Sequence, residues 1–245
     1  MKSYARTIGG LTCQLVDTIS ANTPPELVVV LCHGFGAPGT DLVGIGAELL
    51  QLNPQLVGKA LFIFPAAPLT LDHLGMFGGR AWWPLDVARM TAAIERGEFR
   101  DLRNDVPEGL SEARELLLSL MEEVQGETEL PTSKVVLGGF SQGSMLAVDV
   151  ALRLPKPPGA LCIWSGTLLC ESIWKELIGA VKGIPVVQSH GRQDPILPFA
   201  AAIWLRDMLR NAGADLDFIE FDGVHTIPLE ALHRTGALLE RLAGV

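Results

Sequence analysis

Ser141 stands between glycines in the stretch GGFSQGS, after an apolar run and before an amphipathic one. Residues 139–143 fit the pattern G-x-S-x-G, in which a serine occupies a sharp turn between a strand and a helix. Glycine is needed at the flanks because a Cβ there would collide with a neighbouring strand or helix. The serine hydroxyl then stands above the sheet, near a helix N-terminus that favours negative charge. This context predicts a nucleophile at Ser141, with an ordinary glycine turn as the alternative.

A serine hydroxyl is a poor nucleophile at neutral pH and needs a base to take its proton. The chain has five histidines. In α/β folds with this turn the chain order is serine, acid, histidine, with the histidine after the final strand. Only His225 and His233 come late enough. His225 directly follows the last apolar run, whereas His233 falls within a helical pattern and is predicted to lie on a helix surface. We therefore expect His225 to be the base.

The acid should lie between the serine and the histidine, after the preceding strand. Asp194 does so in VVQSHGRQDPILP, four residues beyond His190. A buried carboxylate there would hold the imidazole tautomer and stabilise the imidazolium. The alternative for Asp194 is a simple Asp-Pro turn. Asp222, three residues before His225, is a rival candidate for the acid. Its local geometry favours the role of a turn residue instead.

A tetrahedral intermediate needs two backbone N–H donors for its oxyanion. One is expected from Gln142, the residue after the nucleophile, and the other from a loop after an early strand. The apolar run VVVLC enters such a loop at HGFG, and we assign the second donor to the amide of Phe35. A phosphate-binding loop is the alternative, but this stretch lacks G-x-G-x-x-G followed directly by a helix and has no Lys-Ser/Thr after it.

Apolar runs alternate with helical patterns along the chain, which indicates a doubly wound, mostly parallel α/β sheet with helices on both faces. Most of the runs are apolar throughout, as expected for strands buried on both faces. The predicted strands are 26–34, 60–68, 134–141, 160–166, 184–191 and 215–223. The predicted helices are 41–52, 108–124, 142–153, 198–211 and 228–242.

Segment 69–106 breaks this alternation, being rich in glycine and aromatic residues at first and polar afterwards. We interpret it as a lid or substrate-loop insertion. It leaves the carboxyl end of a strand, where ligands of α/β sheets bind. Its large side chains either wall a substrate site or form core beneath a long loop. These side chains are Met76, Phe77, Trp82 and Trp83. Arg80 is expected to pair on the surface, with orientation of a substrate carboxylate as the alternative. His33 is expected to be structural rather than catalytic.

Composition excludes several classes of protein. The 245 residues are 48% apolar and 19% charged, which indicates one globular domain, 1–245. A net charge of −9 disfavours nucleic-acid binding. Neither a secretory signal nor a membrane span is evident, so no stable membrane insertion is expected. Four scattered cysteines indicate buried free thiols in a cytoplasmic protein.

Four motifs together resemble the phospholipase/carboxylesterase group of α/β-hydrolases, which includes acyl-protein thioesterases and bacterial carboxylesterases. They are LCHGFG, GGFSQGS, HGRQDPILP and GVHTIP, and they run from residue 31 to 228. The resemblance implies the α/β-hydrolase fold and a serine hydrolase of esters or thioesters without metal or cofactor. Carried over by position, it implies the triad Ser141, Asp194 and His225, with oxyanion donors at Phe35 and Gln142.

The predicted function is therefore a carboxylesterase or lysophospholipase-like hydrolase that acts on a small-molecule ester or thioester through an acyl-enzyme. A dienelactone-hydrolase-like enzyme is a second hypothesis, which Ser141 argues against because that reading expects a cysteine in the turn. A third is a catalytically silent hydrolase fold used as a small-molecule binding module. The natural substrate and the oligomeric state, including a homodimer, stay open at this point.

Overall fold

A computed structural model describes residues 1–98 and 101–245. Eight strands form one sheet, parallel except for the antiparallel pairs made by the N-terminal hairpin. The strands are β1 (Lys2–Ile8), β2 (Leu11–Asp17), β3 (Leu27–Cys32), β4 (Ala60–Pro65), β7 (Val135–Phe140), β8 (Ala160–Trp164), β9 (Pro185–Gly191) and β10 (Asp215–Phe221), in the order β1-β2-β4-β3-β7-β8-β9-β10. A short hairpin, β5 (Leu69–Thr70) with β6 (Arg80–Ala81), lies outside this sheet.

Helices cover both faces of the sheet, which confirms the doubly wound α/β-hydrolase fold. They are α1 (Val43–Leu52), α2 (Val87–Glu95), α3 (Leu110–Thr128), α4 (Gln142–Ala151), α5 (Glu171–Leu177), α6 (Phe199–Asn211) and α7 (Leu229–Ala243). The core on one face includes buried residues of α3, α4, α5 and α6, and the core on the other includes those of α1 and α7.

Strand β3 shows why the central runs are apolar throughout. Val28 and Val30 belong to the core on the first face, whereas Val29 and Leu31 belong to the core on the second. Successive side chains of a strand point to opposite faces, so a strand covered on both sides needs an apolar residue at every position. This fixes β3 and β7 in the middle of the sheet, where their carboxyl ends carry the candidate site.

The N-terminal hairpin was not anticipated. β1 pairs antiparallel with β2 from Lys2 opposite Asp17 to Ile8 opposite Leu11, and β2 pairs antiparallel with β4. Six of the seven β1 residues are exposed, so the strand carries little apolar signal. The turn did carry a signal in the sequence, namely the pair Gly9 and Gly10. Both glycines adopt positive φ, as two-residue hairpin turns require.

Segment 69–106 contains more regular structure than predicted. After the β5–β6 hairpin it forms α2, whose first turn is capped by the Asp86 carboxylate accepting from the amide of Arg89 at 2.9 Å. Residues 99–100 of the predicted insertion lie outside the described residues. Arg80 does not form the predicted surface pair within the described chain; its Nε donates to the carbonyl of Ala67 at 2.5 Å.

All four cysteines are free and buried, as predicted. Burial raises the pKa of Cys13 and Cys162 to about 12 and that of Cys170 to about 11. Their thiols therefore stay protonated at neutral pH. No helix within 1–98 or 101–245 is long and apolar enough to cross a lipid bilayer.

Candidate active site

Ser141 occupies a strained turn between β7 and α4. Its backbone has φ 53° and ψ −120°, a conformation that a non-glycine residue adopts only where its surroundings enforce it. The amide of Ser141 donates to the carbonyl of Trp164 on β8 at 2.9 Å. Its carbonyl accepts from the amide and the hydroxyl of Ser144, at 3.0 and 2.7 Å. The turn is therefore held from the neighbouring strand and from the first turn of the helix.

The glycines flanking Ser141 are required by close approach of β3. A Cβ built at Gly139 would stand 2.3 Å from the carbonyl oxygen of Cys32, and one built at Gly143 would stand 2.2 Å from the same atom. Real Cβ atoms essentially never come so near backbone oxygen. The steric reason inferred from the sequence for these glycines is thus confirmed, with the last residue of β3 as the obstacle.

His225 lies in the loop between β10 and α7, beside the same turn. Its Nδ1 lies 2.6 Å from Oδ2 of Asp194, and its ring lies against that of Phe140, with centroids 4.7 Å apart. Because the carboxylate accepts, Nδ1 carries the proton and Nε2 keeps its lone pair. The side chain of His225 is 10% exposed, so one edge of the imidazole is open.

Both carboxylate oxygens of Asp194 accept hydrogen bonds. Oδ1 accepts from the amides of Ile196 and Leu197, at 2.8 and 2.9 Å, while Oδ2 faces His225 and the Nε2 of His190. Burial alone would raise the pKa of Asp194, but hydrogen bonds from His190 and His225 outweigh it and hold that pKa well below its usual range. Asp194 is therefore ionised wherever the fold persists near neutral pH.

The other acid and histidines considered from the sequence lie outside the contact between Asp194 and His225. Asp222 is 86% exposed and lies 3.9 Å from Arg192, so it is a surface turn residue. His233 is exposed on α7, as predicted. His33 is buried: its Nδ1 donates to the carbonyl of Gly34 at 2.8 Å and its Nε2 accepts from the amide of Ala67 at 3.0 Å. Burial lowers the pKa of His33, consistent with the predicted structural role.

A cavity of about 920 Å³ borders the turn. Ser141, His225, Phe35 and Gln142 all line it. Gln142 is the first residue of α4, where helical amides have no intrahelical acceptor. Most apolar residues of the cavity were not singled out from the sequence. They are Pro84, Leu85, Met90, Ala93, Leu102, Val106, Pro107, Met145, Leu169, Ile196 and Leu197.

Of the four side chains predicted to wall the substrate site, only Trp83 lines this cavity. The other three are not among its lining residues. Trp82 and Trp83 are both 1% exposed, but Trp82 does not line the cavity and its indole N–H donates to the carbonyl of His33 at 2.9 Å, so it has only the core role. Phe77 is 87% exposed in the β5–β6 loop, and Met76 packs beside Gly36. Neither residue lines the cavity, which the later part of the segment borders instead.

Gln142 also fixes the cavity wall through its side chain. Its Oε1 accepts from the amide of Trp82 at 2.9 Å, and its Nε2 donates to the carbonyl of Trp83 at 2.9 Å. Both contacts are buried. Sequence reasoning used only the backbone amide of Gln142 and missed this link, which depends on contacts about sixty residues apart in the chain.

Residues 14–240 match the family profile described as phospholipase/carboxylesterase. The chain belongs to this family. As a member of the phospholipase/carboxylesterase family it is an ester or thioester hydrolase. It is similar to acyl-protein thioesterase 1 of Eremothecium gossypii, with 32% identity over 179 residues, which are 73% of this chain and 71% of that protein. It is also similar to acyl-protein thioesterase 1 of Kluyveromyces lactis, with 29% identity over 89% of this chain and 92% of that one.

A solved structure supports membership of the phospholipase/carboxylesterase family. The crystal structure of the esterase PE8 superposes with a TM-score of 0.74 and 26% identity, covering 99% of this chain and 100% of that one. The fold similarity therefore extends over nearly the whole chain.

Proposed function

We propose that this protein is a serine hydrolase that cleaves carboxylic esters or thioesters through an acyl-enzyme on Ser141. The observation that carries the proposal is the 2.6 Å hydrogen bond between Asp194 and His225, beside a strained serine that borders the same cavity. A serine, a histidine and a buried ionised acid in this chain order are the parts that acyl transfer requires.

In the first step His225 acts as general base. With Nδ1–H donated to Asp194, the imidazole accepts the hydroxyl proton of Ser141 at Nε2 while Oγ attacks the carbonyl carbon of the substrate. The imidazolium that forms is stabilised by the Asp194 carboxylate. Collapse of the tetrahedral intermediate breaks the bond to the alcohol or thiol. This leaving group takes the proton that His225 holds on Nε2. The acyl group is then on Ser141.

The tetrahedral intermediate places negative charge on the former carbonyl oxygen. We assign its stabilisation to the backbone amides of Phe35 and Gln142, which border the cavity next to Ser141. The loop of Phe35 is braced because the amide of Gly36 donates to the carbonyl of Arg80 at 2.9 Å. The N-terminus of α4 adds a favourable dipole at the same point. In a second cycle, water acts as the nucleophile and releases the acyl group from Ser141 as a carboxylic acid.

The apolar side of the cavity favours an acyl chain, and the relatives named acyl-protein thioesterase favour a thioester among the substrates to be tried. Turnover of p-nitrophenyl esters, lysophospholipids and acyl thioesters by the purified protein tests the proposal. His225→Ala should abolish turnover, with the exposed His233→Ala as its matched control. Inactivity of His233→Ala alone would overturn the assignment of the base. A protein that binds these esters without hydrolysing them would instead be a binding module.

We also propose that residues 1–245 form a single domain. One eight-stranded sheet runs from the N-terminal hairpin to β10, and α7 packs on its face near the end of the chain. The cytoplasmic location indicated by the cysteines stays a prediction, and no oligomeric state is proposed.

A further inference from the structure

A second histidine contacts the acid of the candidate triad. His190 is the penultimate residue of β9 and is fully buried, as is the carboxylate of Asp194. Its Nε2 lies 2.8 Å from the carbonyl oxygen of Leu197 and 3.3 Å from Oδ2 of Asp194. A carbonyl oxygen can only accept, so Nε2 carries a proton that is shared between these two acceptors.

The other ring nitrogen of His190 determines which neutral tautomer fits the site. Nδ1 is buried and has no hydrogen-bond partner within the described residues. A proton on Nδ1 would therefore be an unpaired donor in a site packed against Phe199, which is costly. The neutral Nε2–H tautomer satisfies the contacts that the structure contains.

Oδ2 of Asp194 therefore receives two imidazole N–H groups, from His190 and from His225. We propose that His190 is a positioning residue that holds the Asp194 carboxylate in the orientation from which it directs His225. This role rests on the proposed function of Asp194 and His225. His190 also ties Leu197 to β9, so one imidazole joins both ends of the turn that carries the acid.

Among the described residues, His190 and His225 are the titratable side chains that contact Asp194. Glu220, the register partner of His190 on β10, is exposed and pairs with Arg192 at 2.7 Å. Arg192, two residues before the acid, is itself 53% exposed. Loss of the His190 donor should make Oδ2 a stronger acceptor for His225 Nδ1–H. The imidazolium form of His225 then becomes more favourable, and the acid limb of the activity profile moves to higher pH.

The experiment compares His190→Met with His190→Gln by the pH dependence of kcat/KM on a p-nitrophenyl ester. Both side chains have similar length, but only glutamine keeps an N–H at the reach of Nε2. We expect the midpoint of the acid limb to rise by roughly half a pH unit in His190→Met and to return towards the wild-type value in His190→Gln. The exposed His233→Met serves as control and should leave the midpoint unchanged.

Lower stability could imitate the result only if the folded fraction changed across the acid limb, so the circular dichroism of each variant is recorded at every pH, and only the pH range in which it stays constant is used for the midpoint. An unmoved midpoint in His190→Met, or an equal shift in both His190 variants, would overturn the positioning role. Absence of hydrolysis in the wild type would instead contradict the proposed function.

Nitrogen NMR of the wild-type protein tests the hydrogen bond without activity and without a variant. We expect the proton of the neutral His190 ring to be on Nε2, which faces the two acceptors. An Nε2 without a proton in the neutral ring would overturn the inference, even if the substituted proteins fail to fold.

Discussion

The side-chain amide of Gln142 donates to the carbonyl oxygen of Trp83 at 2.9 Å. Because its Oε1 also accepts from the amide of Trp82, one side chain ties the turn that carries Ser141 to the backbone of the cavity wall. Gln142 is 1% exposed, so water cannot replace either hydrogen bond. The position of Trp83 and that of the nucleophile are thus set by the same residue.

Gln142→Met should test this link, because methionine keeps the length of the side chain and the backbone amide but loses both hydrogen bonds. Leaving the two backbone groups of residues 82 and 83 unsatisfied should lower the free energy of unfolding by about 1–3 kcal/mol. We also expect kcat/KM to fall. Urea unfolding and ester hydrolysis measure the two effects, with the exposed Gln51→Met on α1 as control. Equal stability of both variants would contradict the structural role of the side chain.

Acyl-chain length should discriminate between Trp83, which lines the cavity, and Phe77, which does not. Each methylene buried in an apolar site contributes about 0.8 kcal/mol, so kcat/KM should rise about fourfold per carbon over the first few carbons. Trp83→Ala should flatten this rise more than it lowers acetate hydrolysis, because acetate has no chain to bury. Phe77→Ala is the matched control and should leave the profile as in the wild type.

The ratio of hexanoate to acetate turnover is the quantity to measure, since it is insensitive to partial unfolding of Trp83→Ala. A flat profile in the wild type, or a flattened profile in Phe77→Ala, would contradict the cavity as the acyl site.

Gly143→Ala should be strongly destabilising because its Cβ would stand 2.2 Å from the carbonyl oxygen of Cys32. Overpacking of this kind typically costs about 1–3 kcal/mol, and here it also displaces the turn of Ser141. Gly126→Ala in α3 is the control, since a Cβ there meets nothing within 4 Å, and it should stabilise the helix by about 0.5–1 kcal/mol. Thermal or urea unfolding of both variants measures the contrast; a neutral Gly143→Ala would refute the close approach.

Stability should depend on pH through Asp194. Its pKa is lower in the folded protein than the ordinary value of about 3.9, so the folded state binds its proton less readily than the unfolded one. The stabilisation by this carboxylate is therefore present above about pH 5 and is lost as the pH falls further. The difference in free energy of unfolding between wild type and Asp194→Asn should shrink as the pH is lowered from neutral to about 3. A difference that stays constant with pH would contradict the shifted pKa.

The central sheet could be predicted from the sequence because strands covered on both faces leave an uninterrupted apolar signal, as in β3 and β7. The edge hairpin could not be found that way, since β1 is almost entirely exposed and only Gly9 and Gly10 mark its turn. Helix α5 was missed as well, because its seven residues bury only Trp174.

At the candidate site, local signals identified the residues whose role depends on chain order and turn chemistry. Ser141 has its glycines, and His225 and Asp194 follow successive strands. The cavity wall could not be derived in this way, because it combines α2, the start of α4 and the loops after β8 and β9. Trp82 and Trp83 are neighbours in sequence, yet one contacts His33 in the core and the other borders the cavity.

Covalent labelling by a fluorophosphonate tests most directly that Ser141 is the nucleophile. We expect the wild-type protein to be modified at Ser141, as identified by peptide mapping, and Ser141→Ala to be unlabelled, with turnover reduced by at least about 10⁵-fold. Circular dichroism and the unfolding midpoint of Ser141→Ala should match a folded protein. Labelling at another residue, or retention of more than about a tenth of the wild-type activity by folded Ser141→Ala, would contradict the account.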